Sequence, residues 1–112
     1  NTMAAIPSRK KTGFSVFTKS SCKYCDKVKD LFCASPHMDP EPMFVLCDDF
    51  LKGDETKRTF LMEMKKHIGK EYRTFPMVFK NGIFIGGSEE TEVFFTRSQY
   101  FGGVNGGENE DF

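Results

Sequence analysis

Two cysteines three positions apart, Cys22 and Cys25, stand where the sequence changes from a short apolar run to helical spacing. Thiols so spaced can do two kinds of chemistry. They can cycle between dithiol and disulfide, or they can supply half of a tetrahedral metal site. A cysteine attacks a disulfide as its thiolate, and an unperturbed thiol, with a pKa of about 8.5, is only slightly ionised at neutral pH. The start of a helix favours the thiolate, because unpaired backbone N–H groups face the sulfur there. Lys19, Lys23 and Lys27 add positive charge around it. Cys25 falls one turn further in on the same face, sheltered yet near enough to close a disulfide. Attack is therefore expected from Cys22 and resolution from Cys25.

A zinc knuckle is the competing reading, with Cys33 or Cys47 as further ligands. Zinc sites usually pair two such knuckles, whereas Cys33 and Cys47 lie singly in apolar runs and read as small core residues. His37, in a loop, and His67, on a helix, have no ligand spacing and read as surface residues. No metal is expected, and no Ser-His-acid or Cys-His arrangement is visible.

The elements that must hold the two thiols follow from periodicity. Phe14 to Phe17 reads as a strand, and the polar loop Thr18 to Ser21 delivers Cys22 to a helix that runs to about Cys33, with Val28, Leu31 and Phe32 inward. Pro36, Pro40 and Pro42 exclude a helix before the buried strand Met43 to Cys47. A second helix starts after Gly53, with Asp54 as its cap, carries Phe60, Leu61, Met64 and Ile68 on one face, and stops at Gly69. Asn81-Gly82 between Met77–Phe79 and Ile83–Ile85 signals a hairpin. Ser88 is the expected cap of a third helix with acids in its first turn. The order β-α-β-α-β-β-α predicts an α/β fold with a four-stranded mixed sheet flanked by helices. Cys22 then lies at the carboxyl end of a strand, where ligands gather.

Composition bounds the function. The 112 residues suit one domain over residues 13–101, with a polar, basic arm over 1–12 and a Gly-rich acidic tail over 102–112, both expected to be poorly ordered. Sixteen basic residues balance sixteen acidic ones, which argues against a nucleic-acid partner. The run Arg9-Lys10-Lys11 reads as a solvated basic turn. No apolar run reaches the roughly 20 residues needed to span a bilayer, and no apolar signal core opens the chain. A cytoplasmic monomer without membrane contact is the expectation.

Three motifs in order carry a family resemblance. Lys19-Ser20-Ser21-Cys22-Lys23-Tyr24-Cys25 after a strand, Thr74-Phe75-Pro76 before the hairpin, and Gly86-Gly87-Ser88-Glu89-Glu90 after it resemble the dithiol glutaredoxins, over about Phe14 to Tyr100. The resemblance implies a thioredoxin-like fold and a glutathione groove between the motifs. It implies that Cys22 attacks glutathione mixed disulfides, or that Cys22 and Cys25 together reduce protein disulfides, with glutathione as the reductant. Pro76 looks like the family's cis-proline, which would leave the Phe75 N–H and C=O to pair with the glutathione backbone as an added strand would. Lys19 stands where the family binds the glycine carboxylate, and Tyr24 where an aromatic flanks that pocket. Gly87 and Ser88 N–H groups would take the γ-glutamyl carboxylate, and Glu89 or Glu90 its amino group. Glutathionylated proteins and ribonucleotide reductase are the family's typical protein partners.

The sequence departs from that family at three places. Lys23 replaces the usual proline after the first cysteine, which frees a backbone N–H and adds charge. Phe75 replaces a small β-branched residue and is expected to narrow or reshape the groove. The family's second carboxylate-binding residue, on the second helix, has no clear counterpart beyond Lys57 or Arg58. Two alternatives stay open: a thioredoxin-type reductase served by a flavoenzyme, and a carrier in which two chains share a 2Fe–2S cluster through Cys22 and two glutathiones. The absent Trp speaks against the first, and Lys23 keeps the second in play.

Overall fold

A computed structural model describes residues 8–35, 38 and 40–105. The elements are β1 (Phe14–Thr18), α1 (Lys23–Ala34), β2 (Met43–Leu46), a short 3-10 helix (Asp48–Leu51), α2 (Asp54–Ile68), β3 (Met77–Lys80), β4 (Ile83–Gly86) and α3 (Ser88–Asn105). This is the expected order with the 3-10 turn added. The sheet runs β2-β1-β3-β4, with β1 and β2 parallel and the other pairs antiparallel. Every residue of β1 is buried, as befits a central strand covered on both faces.

Register explains why distant motifs meet. The pairing of Phe17 with Met77 places the end of β1 beside the start of β3, so the loop before Cys22 lies against Thr74-Phe75-Pro76. The pairing of Val78 with Gly86 then brings the end of β4, and with it the start of α3, to the same edge. The turn that permits this has Asn81 at φ 52° and Gly82 at φ 82°, both left-handed, as an Asn-Gly hairpin requires.

Phenylalanine fills both faces of the sheet. On the α2 side, Phe17, Phe60, Met64, Met77 and Phe79 pack with Cys25 and Cys47. Phe50, Phe60 and Phe75 form a stack there, with ring centroids 5.5 and 6.1 Å apart. On the other side, Phe32 meets Phe14 and Phe95 edge-on, each at 4.9 Å, closing α1 and α3 over Val16 and Val78.

Several local expectations are corrected. Cys33 is exposed rather than in the core, because it falls on the outer face of α1 while Val28 and Phe32 turn inward. Cys47 is fully buried, as expected. The cap of α2 is Gly53, not Asp54; the Thr56 hydroxyl takes the Gly53 N–H at 3.2 Å. His67 is half-buried against Glu63, at 3.7 Å, instead of lying free at the surface. Arg9 and Lys10 do not dangle: Arg9 donates to the Gly82 carbonyl at 2.7 Å, and the Lys10 N–H to the Ser15 hydroxyl at 2.8 Å. The α3 backbone continues to Asn105, past the boundary expected at 101. Residues 1–7, His37 and residues 106–112 lie outside the described residues. Among the described residues, no helix is long and apolar enough to cross a membrane.

Candidate active site

Cys22 is the N-cap of α1. Its backbone is extended, at φ −127° and ψ 103°, its carbonyl accepts from the Asp26 N–H at 3.1 Å, and its sulfur accepts from the Cys25 N–H at 3.2 Å. A helix-start N–H aimed at sulfur is the interaction a thiolate accepts best. The sulfur also lies 3.7 Å from the Phe75 carbonyl, to which its thiol donates. Cys22 keeps 8% of its surface exposed and Cys25 none. Burial, and then the hydrogen bond with Cys22, push the Cys25 thiol well above its ordinary value. Cys25 therefore stays protonated at neutral pH.

The loop that presents Cys22 is held from below. Ser21 has φ 52°, a left-handed conformation that costs a non-glycine residue about 1 kcal/mol. Ser20 fixes the approach to it: its N–H donates to Asp48 Oδ1 at 2.9 Å, and its hydroxyl donates to the other carboxylate oxygen. These two bonds hold the Asp48 carboxyl below its ordinary range. Asp48 sits on the 3-10 turn after β2, and sequence reasoning missed it; an acid directly after a strand gave no signal of a partner 28 positions earlier.

Tyr24, Thr74, Phe75, Gly87, Ser88, Glu89 and Glu90 line one groove of about 510 Å³. Pro76 is buried beside it, joined to Phe75 by a cis peptide bond. Lys19 is exposed and does not line this groove. Phe75 is 9% exposed, and its ring stacks on Phe60 in the core. Lys23 lies over the Tyr24 ring, 5.4 Å from its centroid.

Three further wall residues are Lys27, Tyr72 and Glu92. Lys27 spans from α1 to Glu92 on α3, at 3.6 Å, so its charge is shared there. Tyr72 stands edge-on to Phe84 at 4.8 Å. Its position in a linker between helix and strand carried no periodic signal.

The double glycine has a steric cause. A Cβ at Gly86, whose φ is 139°, would lie 2.7 Å from the Glu90 side chain, and one at Gly87 would lie 2.9 Å from the Tyr72 hydroxyl. Glu90 uses this space to fold back and accept the Gly87 N–H at 2.9 Å. Gly87, rather than Ser88, is thus the cap position of α3, and its N–H is already engaged. The first-turn donors from Ser88 onward have no partners within the helix. Glu89 and Glu90 also border a hollow of about 650 Å³ over Ile85, Val93 and Phe94, which contains no nucleophile.

No family model matches the chain. Over 76 residues, 68% of this chain and 43% of the relative, it is 37% identical to mitochondrial glutaredoxin-2 of Rattus norvegicus. The chain spans half or less of the length of the curated relatives it matches. The dithiolic glutaredoxin 2-C-Grx1 of Trypanosoma brucei brucei superimposes with a TM-score of 0.62 at 25% identity, over 88% of this chain and 97% of that one. A buckwheat glutaredoxin–glutathione complex superimposes with a TM-score of 0.60 at 23% identity, over 80% and 74% of the two chains. The architecture is thioredoxin-like, a four-stranded mixed sheet flanked by three helices.

Proposed function

The chain is a homologue of the glutaredoxins in sequence and in fold, and on that premise we propose that it is a glutathione-dependent thiol–disulfide oxidoreductase acting through Cys22 and Cys25. The observation that carries this reading is the Cys22 sulfur, set between the Cys25 N–H and the Phe75 carbonyl. A disulfide seated against the Phe75 backbone would present one sulfur to Cys22 and keep Cys25 behind it.

With a glutathione mixed disulfide, the Cys22 thiolate attacks the glutathione sulfur. The old S–S bond breaks, the substrate leaves as a thiolate and takes a proton, and Cys22 carries glutathione. A second glutathione thiolate then attacks this adduct, forming oxidised glutathione and returning Cys22. With a protein disulfide, Cys22 forms a mixed disulfide to the protein, and Cys25 gives up its proton and displaces the second substrate thiol. The resulting Cys22–Cys25 disulfide is reduced by two glutathiones. The first route asks nothing of Cys25, whereas the second requires its thiolate.

The residues fit glutathione in outline. The Phe75 N–H and C=O offer strand-like pairing, the first turn of α3 offers N–H groups to a carboxylate, and Glu89 is the acid on that turn for the amino group. Glu90 serves the cap first, so its second oxygen alone is left for a ligand. We extend to this chain the glutathione binding of the buckwheat complex on this ground.

The test is a choice of reductant. Reduction of a small glutathione mixed disulfide should run on glutathione recycled by glutathione reductase. Turnover only with thioredoxin reductase and no response to glutathione would contradict the assignment.

A further inference from the structure

Beside the active-site groove lies a second groove of about 540 Å³ along α2, and its charge is unlike that of the rest of the molecule. The chain as a whole is neutral, yet this groove gathers Lys57, Arg58, Lys65, Lys66 and Arg73 against two acids, Asp54 and Glu71. Glu71 is shared between Lys65, at 4.0 Å, and Arg73, at 3.4 Å, and Lys66 pairs with Glu63 at 3.6 Å. Among the described residues Lys57 and Arg58 make no ion pair. The surplus is a field that a partner can use.

The sequence of α2 arranges it as a ladder. The pairs 57/58, 61/62 and 65/66 recur every four residues, so they form one stripe: cations, then Leu61 with the 59%-exposed Met62, then cations. One step of that stripe is about 6 Å along the helix. Alternate residues of an extended peptide are about 6.6 Å apart, so acid, apolar and acid side chains at alternate positions match the three rungs. A phosphate chain would waste the apolar rung. Tyr72 lines both this groove and the one beside Cys22, which joins them. The active-site groove carries Glu89, Glu90 and Glu92 against Lys27 alone, which pairs with Glu92, so the balance of charge changes sign from one groove to the other and gives a charged chain one favoured direction.

We propose that the α2 groove is a docking surface for an extended acidic segment of the protein whose disulfide Cys22 attacks. This rests on the reductase reading and adds a substrate class to it. Docking raises the local concentration of the disulfide at Cys22 and weakens with salt, as contacts between exposed charges do.

Two measurements test it on the full chain and on a Lys65→Gln/Lys66→Gln variant. The first is binding of a labelled peptide with glutamates flanking a leucine at alternate positions, against its glutamine counterpart and an oligothymidylate. The acidic peptide should bind best, and the variant should weaken it about fivefold while leaving the glutamine peptide unchanged. Equal binding of the two peptides, an unchanged preference in the variant, or tighter binding of the oligothymidylate would each overturn the proposal. The second is turnover of the same peptides extended by a glutathionylated cysteine, beside a small neutral mixed disulfide. The acidic peptide should have the higher kcat/KM, and the variant should lose that gain while turning over the small substrate normally. If the acidic peptide binds selectively but no mixed disulfide is turned over, the reductase reading falls and the groove stands. Equal turnover of both peptides leaves the reductase and removes the dock.

Discussion

At Cys22 one backbone geometry serves two purposes, since the turn that starts α1 also aims the Cys25 N–H at the Cys22 sulfur. That much follows from a cysteine placed between a strand and a helix, and it was legible in the sequence. The support under it was not. Ser20 and Asp48 are joined by register between β1 and β2, and pairing over such a distance leaves no local pattern. Asp48→Ala should lower kcat/KM toward a mixed disulfide by roughly tenfold through a misplaced Cys22, and Asp48→Asn, which still accepts from Ser20, should recover most of it. Steady-state kinetics on both variants check this. Because the Asp48 carboxyl is held below its ordinary value of 3.8, the clamp is whole above that pH and is lost as pH falls through the lowered value.

At the scale of elements, the order of strands and helices was readable from periodicity and turn residues, because each is decided within a few neighbouring positions. Cap positions were read one residue off at α2 and α3. In both, a glycine occupies the cap and a later side chain, Thr56 or Glu90, reaches back to its N–H, which no serine or aspartate marks in advance. Glu90→Ala should therefore destabilise the fold by about 1 kcal/mol, and Glu90→Gln by less, as measured by urea unfolding. If Glu90 instead acted only on a ligand, both variants would match the parent in stability. Gly86→Ala should cost more than either, since its φ of 139° and the 2.7 Å approach of Glu90 exclude a side chain.

For the whole molecule, the aromatic content of the sequence foretold a phenylalanine core, but not which cysteine would share it. Cys33 and Cys47 sit in similar apolar runs, and only packing sends one outward and the other into the sheet. Burial, and then the neighbouring Asp48, push the Cys47 thiol from its ordinary 9.0 up to about 12. The folded state thus keeps a proton that the unfolded chain releases, so stability is complete below pH 9 and declines as pH rises toward about 12. Each such thiol adds a slope of about 1.4 kcal/mol per pH unit in that window. Cys47→Ala should lose stability at pH 7 through the cavity it leaves, yet show a flatter decline between pH 9 and 11. An identical slope in the variant and the parent would contradict the assignment.

The division of labour between the two thiols is tested most directly by turnover of a glutathionylated peptide, with glutathione as reductant, by Cys22→Ser and Cys25→Ser. The helix-capping Cys22, which keeps 8% of its surface exposed, and the fully buried, protonated Cys25 predict that the first variant is inactive and the second keeps most of the parent rate. Activity in Cys22→Ser, or its loss in a folded Cys25→Ser, would contradict it.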